Sequence, residues 1–205
     1  MQHTRRGQPA GRKRCASTTR ATADTTKPGN WRHALTHCCV LSLLSVSPRS
    51  LSTLAVLDSF LPLVRDSGKI VNVSSMASHS ALKKMSPELQ AKFTDKSLTI
   101  PKLTALLQEF RDAVNAGEWE KKGWPKSAYG LSKVGVSALT DIYARNMPRC
   151  ITINACCPGW CRTDMAGEKA TRSPEDGAAT IASVCLDKTG VNGAFWENHQ
   201  VSSWK

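Results

Sequence analysis

Tyr129 and Lys133 stand four residues apart in a stretch of helical periodicity, so their side chains share a face with β-carbons about 5–6 Å apart. A tyrosine that exchanges a proton near neutral pH must have its acidity raised from about 10, a gap worth about 4 kcal/mol. A lysine charge about 5 Å away, at an effective dielectric of about 20, contributes about 3 kcal/mol of that. The pair is therefore sufficient for most of the shift, although the same spacing also describes a surface Tyr and Lys on any helix. Two other segments give the pair company. Ser74 and Ser75 put hydroxyls at the C-terminal end of a short apolar run, and Pro158, Gly159 and Thr163 place a turn at the end of a second one. Ligands of open α/β sheets bind beyond such carboxyl ends, so three separate segments converge on one crevice. Taken alone, a strand-end serine is more often a turn or cap residue than a catalytic one.

The elements that must position these groups are legible from Leu51 onward. Leu54, Val56, Leu57, Phe60, Leu61 and Val64 recur at helical spacing, and Gly68 stops that helix before the β-branched run Ile70 to Val73. Such a run, apolar on both faces, predicts a buried parallel strand. Between Met76 and Lys126 lies a polar insertion with two capped helices. Ser86 with Pro87 opens one, and Thr99 with Pro101 opens the other, whose Leu103, Leu106, Leu107, Phe110 and Val114 mark a buried face. A helix over about Ser127 to Met147 follows and stops at Pro148. The run Ile151 to Ala155 predicts a second strand, Ser173-Pro174-Glu175 a further helix of about three turns, and Gly193 to Val201 a last edge strand. Strands alternating with helices predict an α/β fold with parallel pairing and helices on the sheet faces.

Composition bounds the function. The chain has 205 residues, 40% of them hydrophobic and 21% charged, which suits one globular domain and excludes collagen-like, coiled-coil and wholly disordered chains. The net charge of +12 suggests nucleic acid until it is divided along the chain. Residues 1–50 hold nine Lys and Arg against Asp24 alone, a charge of +8; residues 51–205 hold nineteen against fifteen, only +4. No basic groove is implied, and no nucleic-acid partner is expected. Residues 1–50, poor in acids and broken by Pro9, Gly29 and Pro48, read as a disordered basic head. Its apolar run Cys38 to Val46 is far shorter than the roughly 20 residues that span a bilayer, so no membrane is expected. Eight cysteines, two pairs of them adjacent, in a chain large enough to bury a core read as reduced thiols in a cytoplasmic protein. His33, His37, Cys38 and Cys39 are the one ligand-like cluster, but no second ligand pair follows at finger spacing, and no metal is expected.

From Leu51 to Lys205 the sequence resembles the short-chain dehydrogenase/reductase family, and within it the monomeric NADPH-dependent carbonyl reductases. The segments that carry the resemblance are IVNVSS (70–75), SPELQAKF (86–93), GWPKSAYGLSK (123–133), INACCPGWCRTDMAG (153–167) and KATRSPEDGA (169–178). It implies a Rossmann-like, doubly wound parallel sheet, NADPH as cofactor, and reduction of ketones, aldehydes or quinones. It also implies roles: Ser75 hydrogen-bonds the substrate carbonyl, Tyr129 protonates it, and Lys133 lowers the tyrosine pKa while holding the nicotinamide ribose. Pro158, Gly159, Cys161, Arg162 and Thr163 match the segment that runs along the cofactor, with Cys161 where the pattern usually has valine. Cys157 matches a cysteine near the substrate pocket and reads equally well as a buried inert thiol. The insertion 76–126 resembles the segment that keeps such reductases monomeric.

The family's glycine-rich pyrophosphate turn, T-G-x-x-x-G-x-G, is matched by none of the thirteen glycines, and its N-N-A-G strand end is absent as well. The chain therefore reads as a partial Rossmann-like fold, apparently truncated at its N-terminal side behind an unrelated head. The Ile70 strand is then expected to be an open sheet edge, which invites association. Two functions follow: an NADPH-dependent carbonyl reductase with a Ser-Tyr-Lys site, or a truncated non-catalytic relative, possibly one that partners a full-length homologue through that edge.

Overall fold

A computed structural model of the chain describes residues 38–42, 50–147 and 150–205. Five strands form one sheet in the order β1 (Cys38–Ser42), β2 (Lys69–Val73), β3 (Thr152–Cys157), β4 (Phe195–Glu197), β5 (Gln200–Ser202). The first four are parallel and the last is antiparallel. Among the described residues six α-helices accompany them: α1 (Ser50–Phe60), α2 (Ala77–Lys83), α3 (Pro87–Thr94), α4 (Ile100–Asn115), α5 (Ala128–Asn146) and α6 (Pro174–Leu186). The expected α/β class with parallel pairing is what the chain adopts.

The two-residue period of a strand explains how the layers assemble. Ile70, Ile153, Ala155 and Cys157 join the large core on the α5 side, while Val71, Val73, Cys156 and Trp196 join a smaller one with Val184 of α6. Both faces of β2 and β3 are thus covered, which is why both read as continuous apolar runs. Helix α5 lies in the large core. Its Leu131, Val134, Ala138, Leu139 and Ile142 are buried together with Leu103, Leu106 and Phe110 of α4. Gly130 lets α2 approach α5 closely: a β-carbon there would lie 2.7 Å from Ala81 Cβ and 2.9 Å from the Ala77 carbonyl oxygen. The position that follows Tyr129 must therefore be bare.

Local signals read from the sequence recur as capping contacts. Ser86 Oγ accepts from the Leu89 N–H at 3.3 Å, and Ser173 closes a reciprocal box with Asp176. Thr99 precedes α4 as expected but makes no side-chain cap bond.

Four expectations are corrected. Cys38 to Ser42, assigned to the disordered head, is strand β1, paired with β2 from Cys38↔Lys69 to Ser42↔Val73, so β2 is not the sheet edge. A five-residue run needs no strong pattern of its own when a neighbouring strand supplies its hydrogen-bond partners. Residues 1–37 and 43–49 of that head, with His33 and His37, lie outside the described residues. The insertion holds three helices, not two; α2 has seven residues and no side-chain cap to announce it. The expected last strand is a hairpin, because Asn198 and His199 both take positive φ, 48° and 63°, and turn the chain back in two residues. Finally, Cys156, Cys157 and Cys161 are free thiols, whereas Cys150 and Cys185 are disulfide-bonded, against the reading of reduced thiols throughout. The size of the core bears on whether a disulfide is needed, not on whether one forms.

Among the described residues no helix is long and apolar enough to cross a membrane, and no group of His, Cys, Asp and Glu could hold a metal ion.

Candidate active site

Three elements meet at the carboxyl ends of β2 and β3. The end of β2 carries Ser74 and Ser75, the first turns of α5 carry Tyr129 and Lys133, and the loop after β3 carries Pro158 to Thr163. Helix α5 starts where it does because Ser127 Oγ accepts from the Gly130 N–H at 2.9 Å. That cap fixes the rotation of the turn bearing Tyr129.

Lys133 joins the helix to the sheet. Only 2% of it is exposed, its Nζ donates to the Val73 carbonyl at 2.9 Å, and the same Nζ lies 5.8 Å from the centre of the Tyr129 ring. Tyr129 itself is 39% exposed, so the phenol reaches the crevice while the ammonium behind it is enclosed. Ser75 is half-buried. Its Oγ accepts from the Ala77 N–H at 3.1 Å, which leaves its own O–H to donate to a ligand. Thus Ser75, Tyr129 and Lys133 all occupy one end of the β2–α5 contact.

Burial pushes Lys133 below the ordinary lysine value of 10.5, against the opposing influence of Cys157 and then Cys156. Burial also pushes the Cys156 thiol up to about 12, assisted by Cys157 and opposed by Lys133. For a lysine lowered on folding, the unfolded chain keeps its proton up to 10.5 while the folded one releases it earlier. The unfolded state therefore binds more protons in that window, and stability rises with pH across it. Cys156 and Tyr143, both raised on folding, pull stability down over the same alkaline range. Urea unfolding at stepped alkaline pH is therefore expected to show a less favourable slope in Lys133→Met than in the unaltered chain, where Lys133 and Lys69, also lowered chiefly by burial, offset part of that fall. Equal slopes in the two proteins would mean that folding leaves the Lys133 pKa where it stands in the unfolded chain.

Cys157 ends β3 on the α5 side, buried, and its Sγ accepts from the Gly159 N–H at 3.4 Å. In the following loop Gly159 has φ of +85°, and a β-carbon on it would lie 2.6 Å from Arg172 Cδ. Cys161 turns its sulfur onto Gly177 and donates to the Pro158 carbonyl at 3.4 Å. Arg162 curls back to the Ala170 carbonyl at 3.3 Å, and the Thr163 carbonyl accepts from Ala166 and Gly167 at 3.0 and 2.8 Å. Arg162 and Thr163 are exposed, whereas the Cys161 side chain packs toward α6.

One participant escaped the sequence reading. Arg172 covers Gly159, reaches the Pro158 carbonyl at 3.5 Å and hydrogen-bonds Asn198, while its backbone exchanges bonds with Trp160 and Arg162. It clamps the loop after β3 to the β4–β5 turn. No local spacing announces it; its one trace is the glycine at position 159.

The residues present fit the nicotinamide–ribose half of a dinucleotide: an exposed phenol, a lysine behind it, a half-buried hydroxyl, and an exposed loop at the strand ends. A glycine-rich turn for the pyrophosphate is not among the described residues.

Comparison with known proteins bears on the family of the chain. A family model described as short chain dehydrogenase matches residues 114–174. Carbonyl reductase (NADPH) 1 of Macaca fascicularis and that of Homo sapiens are each 45% identical over 157 residues, covering 73% of this chain and 57% of theirs. The chain thus spans little more than half the length of these relatives. Among solved structures, salutaridine reductase from Papaver somniferum superposes with a TM-score of 0.66 at 27% identity, over 72% of this chain and 51% of its own. Menthone neomenthol reductase from Mentha piperita does so with 0.58 at 30% identity, over 72% and 47%.

Proposed function

Since the chain belongs to the short-chain dehydrogenase/reductase family, we propose that it reduces carbonyl compounds, namely ketones, aldehydes or quinones, to alcohols with NADPH at a site built from Ser75, Tyr129 and Lys133. The observation that carries this reading is the enclosed Lys133 ammonium, 5.8 Å from the ring of a solvent-reaching Tyr129 and hydrogen-bonded to Val73, the last residue of the strand that Ser74 and Ser75 follow.

Ser75 donates a hydrogen bond to the substrate carbonyl oxygen, with its own oxygen held by the Ala77 N–H. Tyr129 delivers a proton from its hydroxyl to that oxygen as it gains charge, and its exposure allows the proton to be replaced from water. Lys133 holds positive charge next to the phenol and would hold the ribose hydroxyls, together with Tyr129. Pro158, Gly159, Cys161, Arg162 and Thr163 would lie along the nicotinamide, Cys161 through its backbone because its thiol faces Gly177. Cys157 would close the substrate pocket from the β3 side. Bound NADPH supplies the hydride that the carbonyl carbon receives.

A second reading is favoured by one observation: none of the thirteen glycines forms the pyrophosphate turn. On it the chain is a non-catalytic relative. Fluorescence of NADPH titrated with the purified chain separates the two. Saturable binding, followed by loss of reduced nicotinamide absorbance when a quinone is added, is expected for the reductase. Absence of saturable binding would establish the second reading.

A further inference from the structure

Helix α5 carries a polar stripe into an apolar core. Lys133, Ser137 and Thr140, at i, i+4 and i+7, point the same way, toward β2, whose period turns Asn72 and Ser74 to meet them. All five residues are at most 2% exposed. Each finds a specific partner. Ser74 Oγ lies 2.8 Å from Ser137 Oγ and donates to the Lys133 carbonyl at 3.1 Å; Asn72 Nδ2 donates to Thr140 Oγ1 at 2.8 Å. Because Ser74 has one proton and gives it to the Lys133 carbonyl, Ser137 is the donor between the two hydroxyls.

Apolar residues would fill this space equally well as packing, but they would leave the helix free to slide along the strand. Directed bonds between buried hydroxyls do not allow that, since a buried polar group that loses its partner bears the whole cost of its desolvation. Two of the bonds end on Lys133, one at its carbonyl from Ser74 and one from its Nζ to Val73, the residue before Ser74. We propose that Ser74 and Ser137 are positioning residues: their hydroxyl pair sets the register of α5 against the end of β2 and thereby holds the Lys133 ammonium on the Val73 carbonyl beside Tyr129. The consequence for catalysis rests on the reductase reading; the placement of the ammonium does not.

The experiment is acylation of the full chain with limiting acetic anhydride, the Lys133 peptide being quantified by mass spectrometry against exposed Lys121. Lys133 is expected to be protected in the unaltered chain. Ser74→Ala, which breaks both hydroxyl bonds, is expected to raise its labelling about twenty-five-fold, the loss of two net hydrogen bonds at about fivefold each. Ser137→Ala, which leaves the Ser74 bond to the Lys133 carbonyl, is expected to raise it less, and Ser74→Thr, which keeps a hydroxyl, to restore protection. Lower melting temperatures in the alanine variants with Lys133 labelling unchanged would overturn the proposal, leaving the pair a merely structural contact. If Ser74→Ala does not fold, Ser137→Ala decides by the same labelling ratio. Turnover with NADPH and a quinone is measured in parallel. A chain without turnover would count against the reductase reading alone, because the labelling needs neither cofactor nor substrate.

Discussion

A Tyr129→Phe variant is expected to lose about 10²–10⁴-fold in kcat for carbonyl reduction, the span that a positioned general acid contributes. Its stability should stay within about 0.5 kcal/mol of the unaltered chain, as for surface substitutions away from special features. The reason is local. Tyr129 is 39% exposed, no hydrogen bond to its hydroxyl is found among the described residues, and phenylalanine keeps the ring that faces Lys133 at 5.8 Å. Chemistry and folding are therefore separable at this position. Steady-state kinetics at saturating NADPH, paired with thermal unfolding, make the measurement. A variant with undiminished kcat would assign the proton to water or to Ser75 and remove Tyr129 from the mechanism.

The second large effect is one of stability. Trp124 is 3% exposed and sits edge-on to Phe93 and Phe110, with ring centres 6.2 and 5.5 Å away. It joins α3 and α4 of the insertion just before the segment that leads through Ser127 into Tyr129. Trp124→Ala is expected to cost about 3–5 kcal/mol, the usual toll of emptying an aromatic site in a core. Trp124→Phe should cost much less, because the indole N–H is buried without a partner and its removal relieves a desolvation penalty. Urea denaturation of both variants tests the ranking. Equal losses would show that the indole N–H, rather than the ring area, is what the site requires.

If the insertion does support the site, Trp124→Ala should also lower kcat in protein that remains folded. The N-cap of α5 lies three residues beyond Trp124, and the Ser86 N–H donates to the Gly123 carbonyl at 2.9 Å. The aromatic contacts and that bond anchor the segment that enters α5.

What could be read without coordinates was what depends on neighbours in sequence. Ser86, Ser127 and Ser173 stand at helix starts because each hydroxyl satisfies the backbone N–H three residues ahead. The β-branched runs around Val71 and Ile153 were legible as buried strands because both of their faces had to be apolar. Tyr129 and Lys133 were legible as a pair because four residues is one turn. In each case cause and effect lie within a few residues of one another.

The remainder was decided by contacts between distant positions. Strand β1 exists through its pairing with β2, a partner about thirty residues away; the apolar run that begins at Cys38 does not by itself distinguish a strand from other apolar segments. Arg172 found Asn198 across 26 residues, and Ser74 found Lys133 and Ser137 across 59 and 63. Types and spacing thus named the groups proposed to do chemistry, since acidity and helical turns are local properties. Only packing could decide which buried hydroxyls hold those groups still, because a hydrogen bond between remote residues depends on the whole sheet having closed around it.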